Sequence, residues 1–504
     1  MENTTAQPLS DVGAAQKTQT GALITLTSLF FMWGFVTVLN DIVSPHLQSI
    51  LNLSYKQASL VQVAFFFAYF LFAVPAAKLI DATSYKTSIV VGLLTMGVGA
   101  FLFIPAASAA SYNLFLGALV VLAAGITVLQ VAANPYIAVL GPSKTASSRL
   151  NLTQAFNSLG TTIGPWIGGI FILTTTAKSA DELKLLSSQA LQAYKVDQAS
   201  SVKTPYIFIG LLLVALAVVI YFLHLPSIPE AQKKGHTPGV SLWKYRHLVL
   251  GVVGIFVYVG AEVAIGTFLI KYFQLHEIGN LPEAQGARLV SYYWGGAMIG
   301  RFIGSAILNG IKKRTAGLLL FVGCLVLLAS HLSSGQEVVA TASLWARAFS
   351  YFGYVLVLAR PLITLCVLIF LCILLATFFK GGRARMETGK LLGLCAFSTT
   401  LLVITSMLTT GHIAVWSIIL VGFFNSIMFP SIFTLGIADL GPLTGDGSGL
   451  LIMAIVGGAI IPFLFGALAD MPAVGLHHAF FLPAICYLYI AYYGLSGSRP
   501  REVR

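Results

Sequence analysis

Charge is what this sequence has least of. Asp, Glu, Lys and Arg make up 9% of its 504 residues, against roughly 25% in an average soluble domain. So little charge does not cover the surfaces of three soluble domains of about 150 residues, which the length alone would suggest. Cysteine is scarce as well. Cys324, Cys366, Cys372, Cys395 and Cys486 all lie in apolar runs, and none forms a C-x-x-C pair. That pattern argues against a metal centre and against a disulfide framework. Acids well inside the apolar runs are limited to Asp41 and Glu262. No His, Cys and carboxylate gather for acid–base or nucleophilic chemistry, so the chain reads as neither an enzyme nor a cofactor carrier. A charge ring or filter motif of the kind that marks a channel is missing too. The opening stretch, MENTTAQPLSDVGAAQKTQTG, lacks the basic start and apolar core of a signal peptide. It is expected to be a disordered cytoplasmic tail.

Apolar residues, by contrast, make up 57% of the chain. They recur in runs of about 20, long enough to cross a hydrocarbon core of ~30 Å. Twelve principal spans are expected, at 22–43, 58–80, 87–106, 112–137, 150–175, 205–225, 247–274, 288–309, 391–410, 413–438, 447–469 and 476–495. Between the eighth and ninth, the block 310–390 holds two further apolar segments, 315–332 and 361–379. It also holds SLWARAFSYFGYVLVLAR, whose bracketing Arg347 and Arg360 suit an interfacial helix. The block reads as an inserted hairpin that leaves the topology downstream unchanged.

The net charge of +12 falls mainly in short loops. With both termini cytoplasmic, the inner loops carry about twice the Lys and Arg of the outer ones, as the positive-inside rule requires. A lipid bilayer, rather than nucleic acid, is therefore the expected partner of this charge. The plan that follows is a tail at 1–21, a six-helix bundle at 22–225, a cytoplasmic linker at 226–246, a second bundle at 247–495 carrying the insertion, and a tail at 496–504. A bacterial inner membrane is the expected setting.

An internal repeat supports two halves. QVAANPYI places Gln130 five residues before Pro135, and NSIMFPSI places Asn425 five before Pro430. LGP follows in both, at Leu140–Pro142 and Leu440–Pro442, five residues later in the second copy. GTTIGPWIGG (160–169) echoes GGAIIPFLFG (457–466). Prolines and glycines at matched depths in two halves are the pattern of transporters built from parallel repeats, with a binding site near the midplane.

Polar residues inside the spans are either glue between helices or ligands for something in a cavity. Asp41, in FFMWGFVTVLNDIVSPHL, is either a reversible proton carrier or a carboxylate at the outer interface. Gln130 and Asn134 share one helical face, as do Gln154 and Asn157 in NLTQAFNSLG. Four neutral amides both donate and accept, which suits sugar hydroxyls without attracting ions. Asn134 has a second reading, to satisfy a carbonyl freed by the following proline. Glu262, in YVGAEVAIGTFL, has Tyr258 one turn earlier. It binds substrate, carries a proton or pairs with Arg301. Asn425 holds the repeat position of Gln130. The aromatics Phe31, Trp33, Phe35, Tyr293 and Trp294 are candidate apolar faces for a sugar ring.

Taken together, FFMWGFVTVLNDIVSPHL, QVAANPYIAVLGP, RLNLTQAFNSLG, YVGAEVAIG, YWGGAMIGRFIGS, FFNSIMFPSIFTLGIADLG and GSGLLIMAIVGGAIIP resemble the fucose–galactose–glucose:proton symporters of the major facilitator superfamily. The match covers nearly the whole chain except 310–390. The resemblance implies an all-α membrane protein of two six-helix bundles that alternate between outward-open and inward-open states. It implies sugar uptake coupled to a cation. The L-fucose permeases of that family carry an acid in the first helix and another in the fourth. Asp41 matches the first, and Gln130 stands at the second. The chain is thus more similar to the glucose/galactose branch, with Gln130 a sugar ligand. The family's sugar-contacting amides of the fifth helix match Gln154 and Asn157. Glucose or galactose is the expected substrate, with Asp41 the coupling residue and Gln130, Asn134, Gln154, Asn157, Glu262 and Asn425 the substrate set. N-acetylglucosamine or L-fucose as substrate, sodium as the cation, and a non-transporting sugar sensor are the alternatives.

Overall fold

A backbone in hydrocarbon must satisfy its own N–H and C=O groups, and a single span does so only as a helix. The computed structural model describes residues 19–51, 55–109, 111–172, 187, 189–190, 203–223, 241–310 and 386–500. Its side chains are described except at 38–51, 55–60, 164–172 and five positions between 283 and 291. No strand occurs among the described residues. The inserted hairpin expected at 310–390, most of the linker and most of both tails lie outside them.

The helices are α1 (Thr20–Leu51), α2 (Tyr55–Ala82), α3 (Tyr85–Ser108), α4 (Tyr112–Val139), α5 (Ala146–Ile172), α6 (Lys203–Phe222), α7 (Arg246–Gln274) and α8 (Glu283–Asn309). Beyond the inserted block come α9 (Thr388–Leu408), α10 (Gly411–Asn425), α11 (Met428–Gly436), α12 (Thr444–Met453), α13 (Gly457–Ala469), α14 (Gly475–His478) and α15 (Phe481–Tyr492). Ten stretches among the described residues are long and apolar enough to cross a membrane. Those of α5 and α8 are not among the ten. Arg149, Asn151, Gln154 and Asn157 dilute the first, and Arg301 with the tyrosines Tyr292 and Tyr293 the second.

The sequence predicts single helices for the last three spans, and each is instead broken. Proline accounts for two of the breaks, because it has no N–H for the carbonyl four residues earlier. Pro430 leaves Ser426 without that partner, and the helix turns at 426–427 between α10 and α11. Pro483 does the same to Ala479, beside the junction of α14 and α15. In α4 the helix runs straight through Pro135. There the freed carbonyl of Val131 accepts a hydrogen bond from Ser448 Oγ at 2.9 Å.

Two compact units form. One comprises Met1–Val240 with Ile437–Ile452, the other Ser241–Gly436 with Met453–Arg504. In the first, α1 packs on α5, α3 on α4 and α6, and α2 on α4. In the second, α7 packs on α13, α9 on α10 and α15, and α8 on α10. The same pairing order appears twice, as the proline and glycine repeat leads one to expect. Small residues permit the closest approaches. A Cβ added at Gly34 of α1 would strike the Asn157 carbonyl of α5, and one at Gly160 would strike the Phe31 carbonyl.

Candidate functional site

In the first unit, Gln130 and Asn134 lie on the buried side of α4, at 2% and 0% exposure. Gln130 Nε2 donates to the hydroxyl of Tyr69 on α2 at 2.9 Å. Among the described residues, Gln130 Oε1 and both amide atoms of Asn134 have no hydrogen-bond partner. The carbonyl freed by Pro135 is served by Ser448, so that task does not fall to Asn134. A buried polar atom without a partner costs about 1–3 kcal/mol. One face of α4 therefore holds donor and acceptor capacity that the other described residues do not use.

On α5, Gln154 and Asn157 are buried too. Asn157 Nδ2 donates to the carbonyl of Phe30 on α1 at 2.9 Å, so part of this amide ties the two helices together. Arg149, at the start of α5, caps the end of α4. Its Nε donates to the Ile137 carbonyl at 3.0 Å, and its Nη atoms to the carbonyls of Ala138, Pro142 and Gly141.

A second cluster stands in the second unit. Asn425, fully buried, donates through Nδ2 to Tyr293 of α8 and to Tyr487 of α15, each at 2.9 Å. The Asn425–Tyr293 bond repeats the Gln130–Tyr69 bond, with an amide five residues before a proline and a tyrosine on the helix that follows its unit's first. Tyr258 of α7 donates to Glu262 Oε1 at 2.8 Å and lies 3.2 Å from the Asn425 carbonyl. Arg301 Nε donates to the Ser426 carbonyl at 3.2 Å, which is the carbonyl that Pro430 frees. This again mirrors the first unit, where Ser448 serves Val131. Glu262 is the seventeenth of 29 residues in α7 and keeps partial exposure.

The structure thus brings Gln130 and Asn134 onto one face, and Glu262, Tyr258 and Asn425 into one hydrogen-bonded group, with Arg301 on the neighbouring Ser426 carbonyl. Asp41 lies on α1, which continues helical for ten residues beyond it. Its side chain is outside the described ones. Of the aromatic candidates, Tyr293 is spent on Asn425, Trp33 packs edge-on against Phe30 at 5.3 Å, and Trp294 is 43% exposed. Tyr69, Tyr487 and Ser448 are partners that the sequence does not single out. Tyr69 sits in the aromatic run FFFAYFLF and Tyr487 in CYLYIAYY, where nothing distinguishes a phenol that meets an amide from one that packs. The described residues contain no group of three or more His, Cys, Asp or Glu able to hold a metal ion.

Comparison with known proteins adds to this geometry. Residues 22–368 match the family model described as Major Facilitator Superfamily. The chain is 42% identical over 501 residues to a glucose/galactose transporter of Brucella abortus, covering 98% of both chains. It is 32% identical to the L-fucose-proton symporter of Escherichia coli, over 92% of this chain and 90% of that one. A crystal structure of the Escherichia coli fucose:proton symporter superposes with a TM-score of 0.74 at 28% identity, covering 96% of this chain and all of that one.

Proposed function

The chain belongs to the Major Facilitator Superfamily and, within it, to the fucose–galactose–glucose:proton symporters; on that premise we propose that it carries a hexose, glucose or galactose, into a bacterial cell by proton-coupled symport. One observation carries the reading. The likeness to a glucose/galactose transporter spans 98% of both chains, and position 130 is an amide rather than an acid.

The sugar contacts are assigned to Gln130, Asn134, Gln154, Asn157 and Asn425; Glu262, the sixth of the expected set, is engaged by Tyr258 at 2.8 Å and is not assigned to the sugar. Pyranose hydroxyls donate and accept at once, as carboxamides do. Gln130 Oε1 and the Asn134 amide, without partners among the described residues, supply hydrogen-bonding capacity without net charge, which favours a neutral sugar over an anionic one. Asp41 is the coupling group. Protonation neutralises it, and an unpaired charge in a membrane is costly enough to bias which conformation the carrier adopts. A bound cation drives the exchange between states only through a difference in its affinity for them. The chain is placed in the inner membrane with both termini cytoplasmic, on the strength of the loop charges.

The test is uptake of labelled glucose by proteoliposomes holding the wild type or Asp41→Asn, under an inward proton gradient, a sodium gradient or neither. Uphill uptake driven by protons and abolished by Asp41→Asn is the expected result. Uphill uptake with sodium alone would discard the protonation step. Silence toward glucose, galactose, N-acetylglucosamine and L-fucose, with sugar binding retained, would mark a sensor.

A further inference from the structure

Glu262 is an acid at the middle of a helix read as crossing the membrane. It keeps partial exposure. Its hydroxyl neighbour, Tyr258, has a single proton and two acceptors within reach, Glu262 Oε1 at 2.8 Å and the Asn425 carbonyl at 3.2 Å. When Glu262 is ionised, the charge-assisted and shorter bond prevails, and the proton points at the carboxylate. When Glu262 is protonated, its own O–H donates to the phenol oxygen, and the Tyr258 proton turns to the Asn425 carbonyl. That carbonyl ends α10. The next one, Ser426, lost its helical partner to Pro430 and is held by Arg301 Nε. Arg301 is also within electrostatic reach of Glu262. Thus the two side chains that respond to the charge on Glu262 are those that hold the two carbonyls at the break between α10 and α11.

We infer that Glu262 is a second proton-carrying group of the transport cycle, and that Tyr258 and Arg301 transmit its protonation to the helix break at 426–427. The inference rests on the transport reading above. In chemical terms the carboxylate gains one proton from water on one side of the membrane and returns it to water on the other, and no other bond changes. The titratable or charged groups facing Glu262 are Tyr258 on its own helix, Tyr293 and Arg301 on α8, and Tyr487 on α15. Only Arg301 is a permanent charge. A neutral Glu262 releases Arg301 from its opposing partner, whereas an ionised one draws it away from the break.

Two measurements test this. The first compares proton-driven glucose accumulation with glucose exchange at equal pH, in proteoliposomes of wild type, Glu262→Gln and Tyr258→Phe. A carboxamide mimics the protonated acid, so Glu262→Gln is expected to exchange sugar yet accumulate it only to a ratio of about one, since exchange needs no net proton movement. Tyr258→Phe is expected to lower accumulation while leaving the acid in place. The second follows the carboxyl C=O infrared band of purified protein against pH, without sugar. A band component that titrates in wild type and Tyr258→Phe and is missing from Glu262→Gln is the expected outcome. Full accumulation by Glu262→Gln would overturn the inference, and so would loss of exchange together with accumulation, which marks a sugar ligand or a structural ion pair. A wild type that neither exchanges nor accumulates glucose would sink the transport reading itself, while the infrared band still decides whether Glu262 takes a proton.

Discussion

At the scale of single residues, the two amides at repeat-related positions differ in what they leave unused. Gln130 gives Nε2 to Tyr69 and keeps Oε1 without a partner among the described residues. Asn425 gives Nδ2 to two phenols at once. A sugar hydroxyl meeting Gln130 would find an acceptor already oriented by Tyr69, which is how a second residue positions a first. Gln130→Leu should therefore raise the KM for glucose by about tenfold or more, as expected when a hydrogen bond worth 1–3 kcal/mol is lost. Tyr69→Phe should raise it less, because it frees a donor without removing the acceptor. Initial-rate uptake of labelled glucose gives both values. A larger effect from Tyr69→Phe than from Gln130→Leu would mean that the amide serves packing and the phenol serves the sugar. Gln130 and Asn425 are legible in the sequence itself, because the spacing of an amide to a proline is a property of the chain. Tyr69 and Tyr487 are not legible there, since a phenol among aromatics declares its partner only once the helices are placed. The two readings of Asn134 are separated only by Ser448 on the Val131 carbonyl, a contact from more than 300 positions away.

At the scale of helices, the sequence places every described span, including α5 and α8, whose polar residues dilute them, with ends differing by a few residues except at α1, which runs on to Leu51 from an expected end at 43. It does not reveal the breaks at 426–427 and near 479. A proline in a membrane helix kinks it, interrupts it or leaves it straight according to what satisfies the freed carbonyl. Pro135 and Pro430 differ within one chain, the first in a continuous helix with its freed carbonyl on Ser448, the second beside an interruption with its freed carbonyl on Arg301. Close packing gives a sharper test of how the units are built. An added Cβ at Gly160 meets the backbone of Phe31, which cannot step aside as a flexible side chain can. Gly160→Ala should force α5 from α1, stretch the 2.9 Å bond from Asn157 to Phe30, and cost about 1–3 kcal/mol as overpacking. Gly117 of α4 has nothing within 4 Å of an added Cβ. Gly117→Ala should be neutral or stabilising by up to about 1 kcal/mol, because alanine is the better helix former. Thermal unfolding of the detergent-purified variants, followed by size-exclusion recovery, reads the contrast. Equal behaviour of the two variants would mean that α1 and α5 are not in the close contact described.

At the scale of the whole molecule, the twofold use of one packing plan frames the coupling. The first unit carries its acid at Asp41 and its amides on α4 and α5. The second carries an acid at Glu262, with its amide at the α10–α11 break. A symporter needs sugar and proton to favour each other's binding, and such favour is reciprocal by thermodynamic necessity. If protonation raises sugar affinity by some factor, sugar raises proton affinity by the same factor. Sugar binding should therefore tighten as pH falls through the range where the proposed coupling acids, Asp41 and Glu262, take up protons, and weaken above it. Equally, adding glucose to a weakly buffered solution of purified protein should draw protons from solvent and raise its pH. Calorimetric titration of glucose across a pH series gives the first quantity, and a pH-indicator dye gives the second. Agreement of the two factors would place the coupling in binding equilibria. A pH-independent affinity with no proton uptake would remove both acids from sugar binding and leave protons to act on the movement of the empty carrier. In the Asp41→Asn, Glu262→Gln double variant both signals should vanish together.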